Sequence, residues 1–254
     1  METKWPKLKK PPIVMAIFQI VFESKEEVII MPNDAIEIEK TLPKKYENRQ
    51  TNVNLNLSAP LPIGESTIKA GANTRVYANV YHTADQKRKL EIAINQITYT
   101  DETEYNGFEN FKDTISHYLR VLDGYLAGAT IKRVSIRFIN RFIFTEFCDA
   151  TEFFKTVISA TDESAISYPV VGYGFKWFSQ ISENIRAVVN QELNNAIVGK
   201  FNYLFDIDVL SESNLIYDRA AILSIIDGLR EIKNNLFFSN LTTETIDLCN
   251  ISDT

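Results

Sequence analysis

The stretch TIKRVSIRFINRFIF, residues 130–144, decides the fold because it holds the clearest strand pattern in the chain. Alternate positions from 134 to 144 are apolar apart from Asn140, whereas positions 133, 137 and 141 are arginines. Successive side chains of a strand point to opposite faces. The pattern therefore predicts a strand with one face toward a core and one face lined by arginines.

Seven other segments also have the composition or alternation of β-strands. Residues 13–22 are apolar at nearly every position, which favours a strand covered on both faces. The others alternate or are rich in β-branched and aromatic residues. The predicted strands are residues 13–22, 52–57, 74–82, 89–100, 167–181, 183–193 and 200–210.

Helical periodicity occurs in two long segments. Apolar residues recur at steps of three or four over residues 106–127 and again over residues 218–235. Such spacing places them on one side of an α-helix. A third, short helix is expected after Thr242, which begins a Thr-Thr-Glu-Thr sequence that resembles a capping box.

The order of these elements repeats along the chain. Four predicted strands and a long helix occupy residues 1–129, and the same series occupies residues 130–254. Strands followed by a helix indicate antiparallel meanders with helices on one face. We therefore predict an α+β fold of two tandem four-strand-plus-long-helix units, and the strand at 130–144 could join them into one continuous sheet.

Composition and charge narrow the class of protein. The 254 residues are 45% hydrophobic and 24% charged, which is typical of a globular chain. The formal net charge is −6, with three basic and nine acidic residues from position 201 onward, so broad nucleic-acid binding is not favoured. Two cysteines and the absence of a membrane-length apolar run favour a cytoplasmic protein with no membrane partner.

No common catalytic or cofactor motif occurs in the sequence. His82 and His117 are the only histidines, and neither has a metal-ligand spacing. The Gly172-Tyr173-Gly174 sequence lacks the third glycine of a dinucleotide-binding loop. We predict no cofactor and no catalytic residue, and we favour a protein that is not an enzyme.

The arginine row is the first candidate site. Arg133, Arg137 and Arg141 share one face of the predicted strand, spaced by four residues. Three guanidinium groups in a row can hold an acidic peptide, a phosphate or a nucleic-acid backbone. They can equally form ion pairs with carboxylates of neighbouring strands, so both interpretations stay open.

Other candidate positions lie in the second half of the chain. Asp206 and Asp208 share a strand face and form a weaker alternative site, for a divalent metal. Tyr173 and Trp177 belong to an aromatic-rich segment that could bind a partner or fill the core. Asn140 interrupts the apolar row and is expected to make a specific structural hydrogen bond or mark a bulge.

Several motifs together resemble a sporadically distributed prokaryotic family of about this length with no established function. The motifs are PPIVMAIFQIVF at 11–22, FENF at 108–111, RVSIRFINRF at 133–142, FDIDV at 205–209 and NNLFFSNLT at 234–242. The family typically has an acidic residue at Met15 and a tryptophan at Phe108. The resemblance implies a two-part α+β body and a distribution like that of defence-associated genes, and it supplies no site residues. The strand-and-helix unit is also similar in topology to SecB-like chaperones.

Three functions follow as hypotheses. The favoured one is a non-enzymatic module that binds a protein or peptide, chaperone-like or associated with a defence or toxin–antitoxin system, or forms a homo-oligomer. The second is a component acting on phosphate groups or nucleic acid through the arginines and the two aspartates. The third is an obligate structural subunit of a larger complex.

Overall fold

A single antiparallel sheet of nine strands organises the molecule. The computed structural model describes residues 5–24, 32–42, 46–57, 72–144, 150–155, 172–197 and 200–250. Within these residues the strands are β1 Ile13–Glu23, β2 Tyr46–Leu57, β3 Ala72–Thr83, β4 Arg88–Ala93, β5 Gln96–Asp101, β6 Thr130–Phe144, β7 Gly172–Gln180, β8 Ile185–Ile197 and β9 Lys200–Ile216. Their order across the sheet is β2-β3-β4-β5-β1-β6-β9-β8-β7, and every neighbouring pair is antiparallel. The α+β class is thus confirmed.

The helices of the described chain pack on one face of this sheet. They are α1 Pro32–Thr41, α2 Phe108–Leu126, α3 Ala150–Phe153, α4 Arg219–Asn240 and α5 Thr243–Leu248. Ring contacts join Phe111 of α2 to Phe138 of β6, and Phe237 of α4 to Phe205 of β9. The core lies in this layer, between the sheet and the two long helices. No helix of the described chain is long and apolar enough to cross a membrane.

The two long helices also contact each other. Lys112 of α2 pairs with Asp227 of α4 at 2.6 Å, and Arg230 of α4 pairs with Glu109 of α2 at 2.9 Å. Before α2, Gly107 adopts φ +94°, a left-handed conformation that glycine accepts without strain. The two ion pairs join the outer sides of the helices, and the buried apolar sides of α2 and α4 hold them on the sheet.

The structure corrects three expectations about elements. Residues 89–100 form two strands, β4 and β5, rather than one, because the chain turns at Ile94–Asn95. The described part of the first half therefore has five strands. Strand β1 is buried on one face only: its even-numbered residues from 16 to 22 are buried, and its odd-numbered ones are half-buried. Two helices, α1 and α3, were not anticipated.

The face of the sheet away from the helices is called the open face below. Between the register shifts near their ends, it carries the odd-numbered residues of β1 from 15 to 21 and of β6 from 133 to 143, together with the even-numbered residues of β7, β8 and β9. Among the described residues, no helix packs on it. An antiparallel sheet commonly keeps one such face in contact with water.

Cys249 is free and buried on the helix side of the molecule, whereas Cys148 lies outside the described residues.

Candidate functional site

The three arginines of β6 lie on the open face, but their contacts differ. Arg137 donates to Asp206 on β9 through both Nε (2.8 Å) and Nη2 (2.6 Å). Arg133 donates to the side chain of Gln19 on β1. Arg141 is exposed and makes no ion pair with any described residue. The row therefore contains one bidentate ion pair, one hydrogen-bonded arginine and one arginine that is free to bind something else.

The pairing of Arg137 with Asp206 has a clear basis in the strand register. Arg137 stands directly opposite Asp208, whereas Asp206 is opposite Ile139, so the ion pair runs diagonally across β6 and β9. A fork of two parallel hydrogen bonds is the strong form of an arginine–carboxylate contact. The hydrogen bond to Asp206 is the main reason that the pKa of Arg137 is raised.

Asp208 is left without the partner that its register position suggests. Its Oδ1 atom is buried and accepts no hydrogen bond from the described residues. Burial raises the pKa of this carboxyl group, and the nearby positive charge of Arg137 offsets part of the increase. An unsatisfied buried acceptor costs free energy. Burial and the missing hydrogen bond both make the charged form of Asp208 less favourable than that of an exposed aspartate.

The polar contacts continue across the centre of the open face. Gln19 of β1 accepts from Arg133 and donates to Thr98 of β5 through Nε2 at 3.1 Å. The Nε atom of Arg133 is buried without a partner in the described chain. A band of polar groups from β5 to β9 thus crosses an otherwise half-exposed apolar face. Gln19 is the one polar residue in the apolar run of residues 13–22, and no role was predicted for it.

Asn140 lies on the opposite face, inside the core. It is 1% exposed, and its Nδ2 donates to the main-chain oxygens of Phe205 (2.8 Å) and Phe138 (3.4 Å). The β1–β6 register also shifts just beside it, between Ile13 and Met15. The amide therefore bonds to the main chain of its own strand and of β9.

Tyr173 and Trp177 do not join the arginines. Trp177 pairs in register with Val189, and Val189 with Ile207, and Val189 and Ile207 are both fully buried in the core. The two aromatic side chains therefore face the helix side, where they pack partly buried against the core. The sequence-predicted binding residues thus occupy two different faces of one sheet and do not form one site.

Strand β7, which contains Tyr173 and Trp177, forms an edge of the sheet. It is the last strand of the sheet in the described chain, and its pairing with β8 runs without interruption over nine residues. Phe178, on its open side, is 73% exposed, and the Lys176 ammonium lies 5.2 Å from the centre of that ring. An exposed aromatic residue on a regular edge strand is unusual for a surface that contacts only water.

The direction of the β7 main-chain groups follows from the turn that joins β7 to β8. Ile181 N donates to Ile185 O at 2.9 Å, which makes these two residues a hydrogen-bonded pair. Hydrogen-bonded and non-hydrogen-bonded pairs alternate in an antiparallel ladder. Trp177 therefore bonds to β8, whereas Lys176 and Phe178 direct their N–H and C=O groups outward from the sheet.

The opposite edge of the sheet has a different character. Strand β2 pairs with β3 through two register shifts, one near Tyr46 and one between Asn52 and Val53. Its residues 48–51 are exposed and polar. Irregular pairing and polar side chains are the means by which natural edge strands avoid pairing with other chains. Of the two edges, only β7 is regular.

The metal-binding interpretation gains no support from the geometry. Both carboxylate oxygens of Asp206 accept from Arg137. Among the described residues, no group of three or more His, Cys, Asp or Glu side chains is placed to hold a metal ion.

In the comparisons with known proteins, the chain matches no family model, no curated protein and no solved structure.

Proposed function

We propose that the protein is a non-enzymatic binding module that takes up an extended segment of a partner protein as an added strand beside β7. The observation that carries this proposal is the regular nine-residue edge, whose Lys176 and Phe178 direct main-chain groups outward. Strand addition gives affinity through main-chain hydrogen bonds and specificity through alternate side chains. A chaperone-like or defence-associated role is compatible with this mode of binding.

The side chains of β7 define the partner segment that fits. An added strand would place alternate residues beside Tyr173, Phe175 and Trp177 on the helix side, where apolar residues are favoured. On the open side it would lie beside Lys176 and Phe178, where an acidic residue opposite the lysine is favoured. The expected segment therefore alternates apolar residues with polar ones and carries a carboxylate near its centre.

The test is a peptide-display selection. A random library of displayed twelve-residue peptides is selected for binding to the immobilised full chain. We expect enriched peptides with period-two apolar alternation and a central Asp or Glu. Substitution K176P removes one outward N–H without touching the β7–β8 ladder, so it should weaken the selected peptides at least tenfold. K176M keeps that N–H and should retain main-chain binding while losing the acidic preference.

Two outcomes would contradict the proposal. One is that no alternating peptide is enriched over a bare support. The other is that the selected peptides bind K176P as well as the unaltered protein. A thermal melt of each variant shows whether the fold is intact, and T51K on the β2 edge serves as a control that should leave binding unchanged.

We further infer that the chain arose from an internal duplication, with units at residues 1–129 and 130–254. Outward from β1 the strands run β5, β4, β3, β2, and outward from β6 they run β9, β8, β7. In both halves the first strand is central, the last strand lies next to it, and a long helix follows. An experimental structure in which α2 fails to superpose on α4, when β1 and β5 are laid on β6 and β9, would contradict this inference.

A further inference from the structure

One row of residues across the open face is complementary to itself. Strand pairing places six side chains in line, three on either side of the boundary between β6 and β9. On the β6 side the order moving outward is arginine, isoleucine, threonine, and on the β9 side it is aspartate, valine, phenylalanine. The row consists of Thr100, Ile17, Arg137, Asp208, Val188 and Phe178.

A rotation of 180° about an axis parallel to the strands, midway between β6 and β9, exchanges the two halves of this row. Two copies placed face to face about that axis bring Arg137 of each toward Asp208 of the other. The same rotation sets Ile17 against Val188 and Thr100 against Phe178. Opposite charges then face each other and Ile17 faces Val188, so the patch is complementary to itself, as an isologous interface requires.

The row contains groups that lack partners within one copy. Asp208 Oδ1 is buried without a hydrogen-bond donor from the described residues. Arg137 uses Nε and Nη2 for Asp206, and a guanidinium has five N–H groups, so its Nη1 can still donate. Phe178 exposes 73% of its surface. A second copy would supply an acceptor to Arg137 and cover to Phe178. It would also bring a positive charge above the Asp208 carboxyl group, whose Oδ1 is itself too deeply buried for direct contact.

We propose that the open face is the interface of a symmetric homodimer, built around reciprocal contacts between Arg137 and Asp208. The two sheets would pack about 10 Å apart, as in other sheet-on-sheet contacts. This proposal differs from strand addition at β7, because it uses side chains on the face of the sheet rather than the main-chain groups of its edge, and the two share only the Phe178 side chain.

Charge complementarity favours a second copy over an unrelated partner. On the open face, β6 carries arginines at positions 133, 137 and 141, and β9 beside it carries acidic residues at positions 206, 208 and 212. Glu212 also pairs with Arg186 of β8, and Lys200 adds a positive charge at the start of β9. A partner surface of one sign would be repelled by one of these two adjacent rows. A copy in the reversed orientation presents both signs in the matching order.

The test is sedimentation equilibrium of the full chain from 1 to 200 μM. We expect a concentration-dependent rise from the 29.0 kDa monomer toward twice that mass. Substitutions D208R and R137D each put like charges opposite each other, so each variant alone should weaken dimerisation at least tenfold. An equimolar mixture of the two restores opposite charges in both contacts and should form a heterodimer.

A third variant keeps the test decisive if R137D fails to fold. V188K adds a charge in the apolar part of the row, does not touch the ion pair, and should also give a monomer. Control T51K, on the β2 edge, should dimerise like the unaltered protein. A monomer at 200 μM, or dimers that persist in D208R and V188K, would overturn the proposal. If such dimers were instead lost in K176P, the copies would be pairing through β7.

Discussion

At the scale of single residues, Lys233 is the most unusual side chain in the core. It lies on the buried side of α4, is 7% exposed, and its ammonium stands 4.6 Å from the ring centre of Phe138 and 5.8 Å from that of Phe237. No carboxylate of the described residues pairs with it. Burial lowers its pKa from 10.5 to about 7.

This lowered pKa predicts how stability changes with pH. Between pH 7 and 10.5 the unfolded chain binds a proton at Lys233 that the folded chain does not bind, so stability rises with pH over that window. K233M removes the proton uptake and should raise the free energy of unfolding at pH 7 by about 3–5 kcal/mol. It should also flatten the pH dependence from 7 to 10, as measured by urea unfolding.

The matched control for that experiment is K112M. Lys112 is on the surface of α2 and pairs with Asp227, so its loss should cost at most about 1 kcal/mol and leave the pH slope unchanged. A K233M variant that is no more stable than the unaltered protein at pH 7 would show that Lys233 is accommodated in its charged form.

The arginines of β6 make a second prediction at this scale. R137A leaves the largely buried Asp206 without its two charge-assisted hydrogen bonds, and should lower the free energy of unfolding by about 1–2 kcal/mol. R141A removes an arginine that has no ion pair, and should change it by less than about 0.5 kcal/mol. Equal losses from both variants, in paired urea titrations, would contradict the assigned contacts.

At the scale of elements, α4 depends on its first turn. Asp218 Oδ1 accepts from the main-chain N–H groups of Ala220 (2.8 Å) and Ala221 (3.3 Å), which would otherwise lack partners. D218A should therefore lower the free energy of unfolding by about 1 kcal/mol. D218N keeps an accepting oxygen, so its free energy of unfolding should stay within a few tenths of a kcal/mol of that of the unaltered protein. Thermal melts of both variants and the unaltered protein measure the difference.

The sequence predicted most elements because their patterns are local. The steps of three and four in α2 identified the side that is buried, from Phe108 to Leu126, and Thr242 does cap α5 by accepting from Thr245 N. Residues 89–100 were predicted as one strand because alternation continues on both sides of a two-residue turn. Helix α1 was missed although Pro32 at its first position is a typical start signal.

Other features could not be read from local patterns. The apolar spacing in α4 predicted a buried side made of Ile222, Ile225, Ile226, Leu229 and Ile232. Of these, Ile222, Ile226 and Leu229 are buried, and the buried side continues through Lys233, which a periodicity of apolar residues cannot include. The sequence likewise placed the three arginines on one face without showing which carboxylate each would meet. That choice depends on the register between β6 and β9, which is set by long-range pairing.

At the scale of the whole molecule, the sheet has two surfaces that could bind a partner, and they differ in the chemical groups that they expose. Its open face presents paired and unpaired charges among half-buried apolar residues, and its β7 edge presents main-chain groups beside an exposed aromatic ring. The helix face is occupied by the core. A partner is therefore expected to bind at the open face or at β7, and β7 is the edge proposed for strand addition.

The most direct measurement is amide hydrogen exchange of the full chain, alone and with a saturating selected peptide. The account predicts that Lys176 and Phe178, whose N–H groups point outward, become strongly protected, while residues 48–51 on the β2 edge keep their exchange rates. An unchanged β7, or protection that appears only on β2 or on the open face of β1 and β6, would contradict strand addition at this edge.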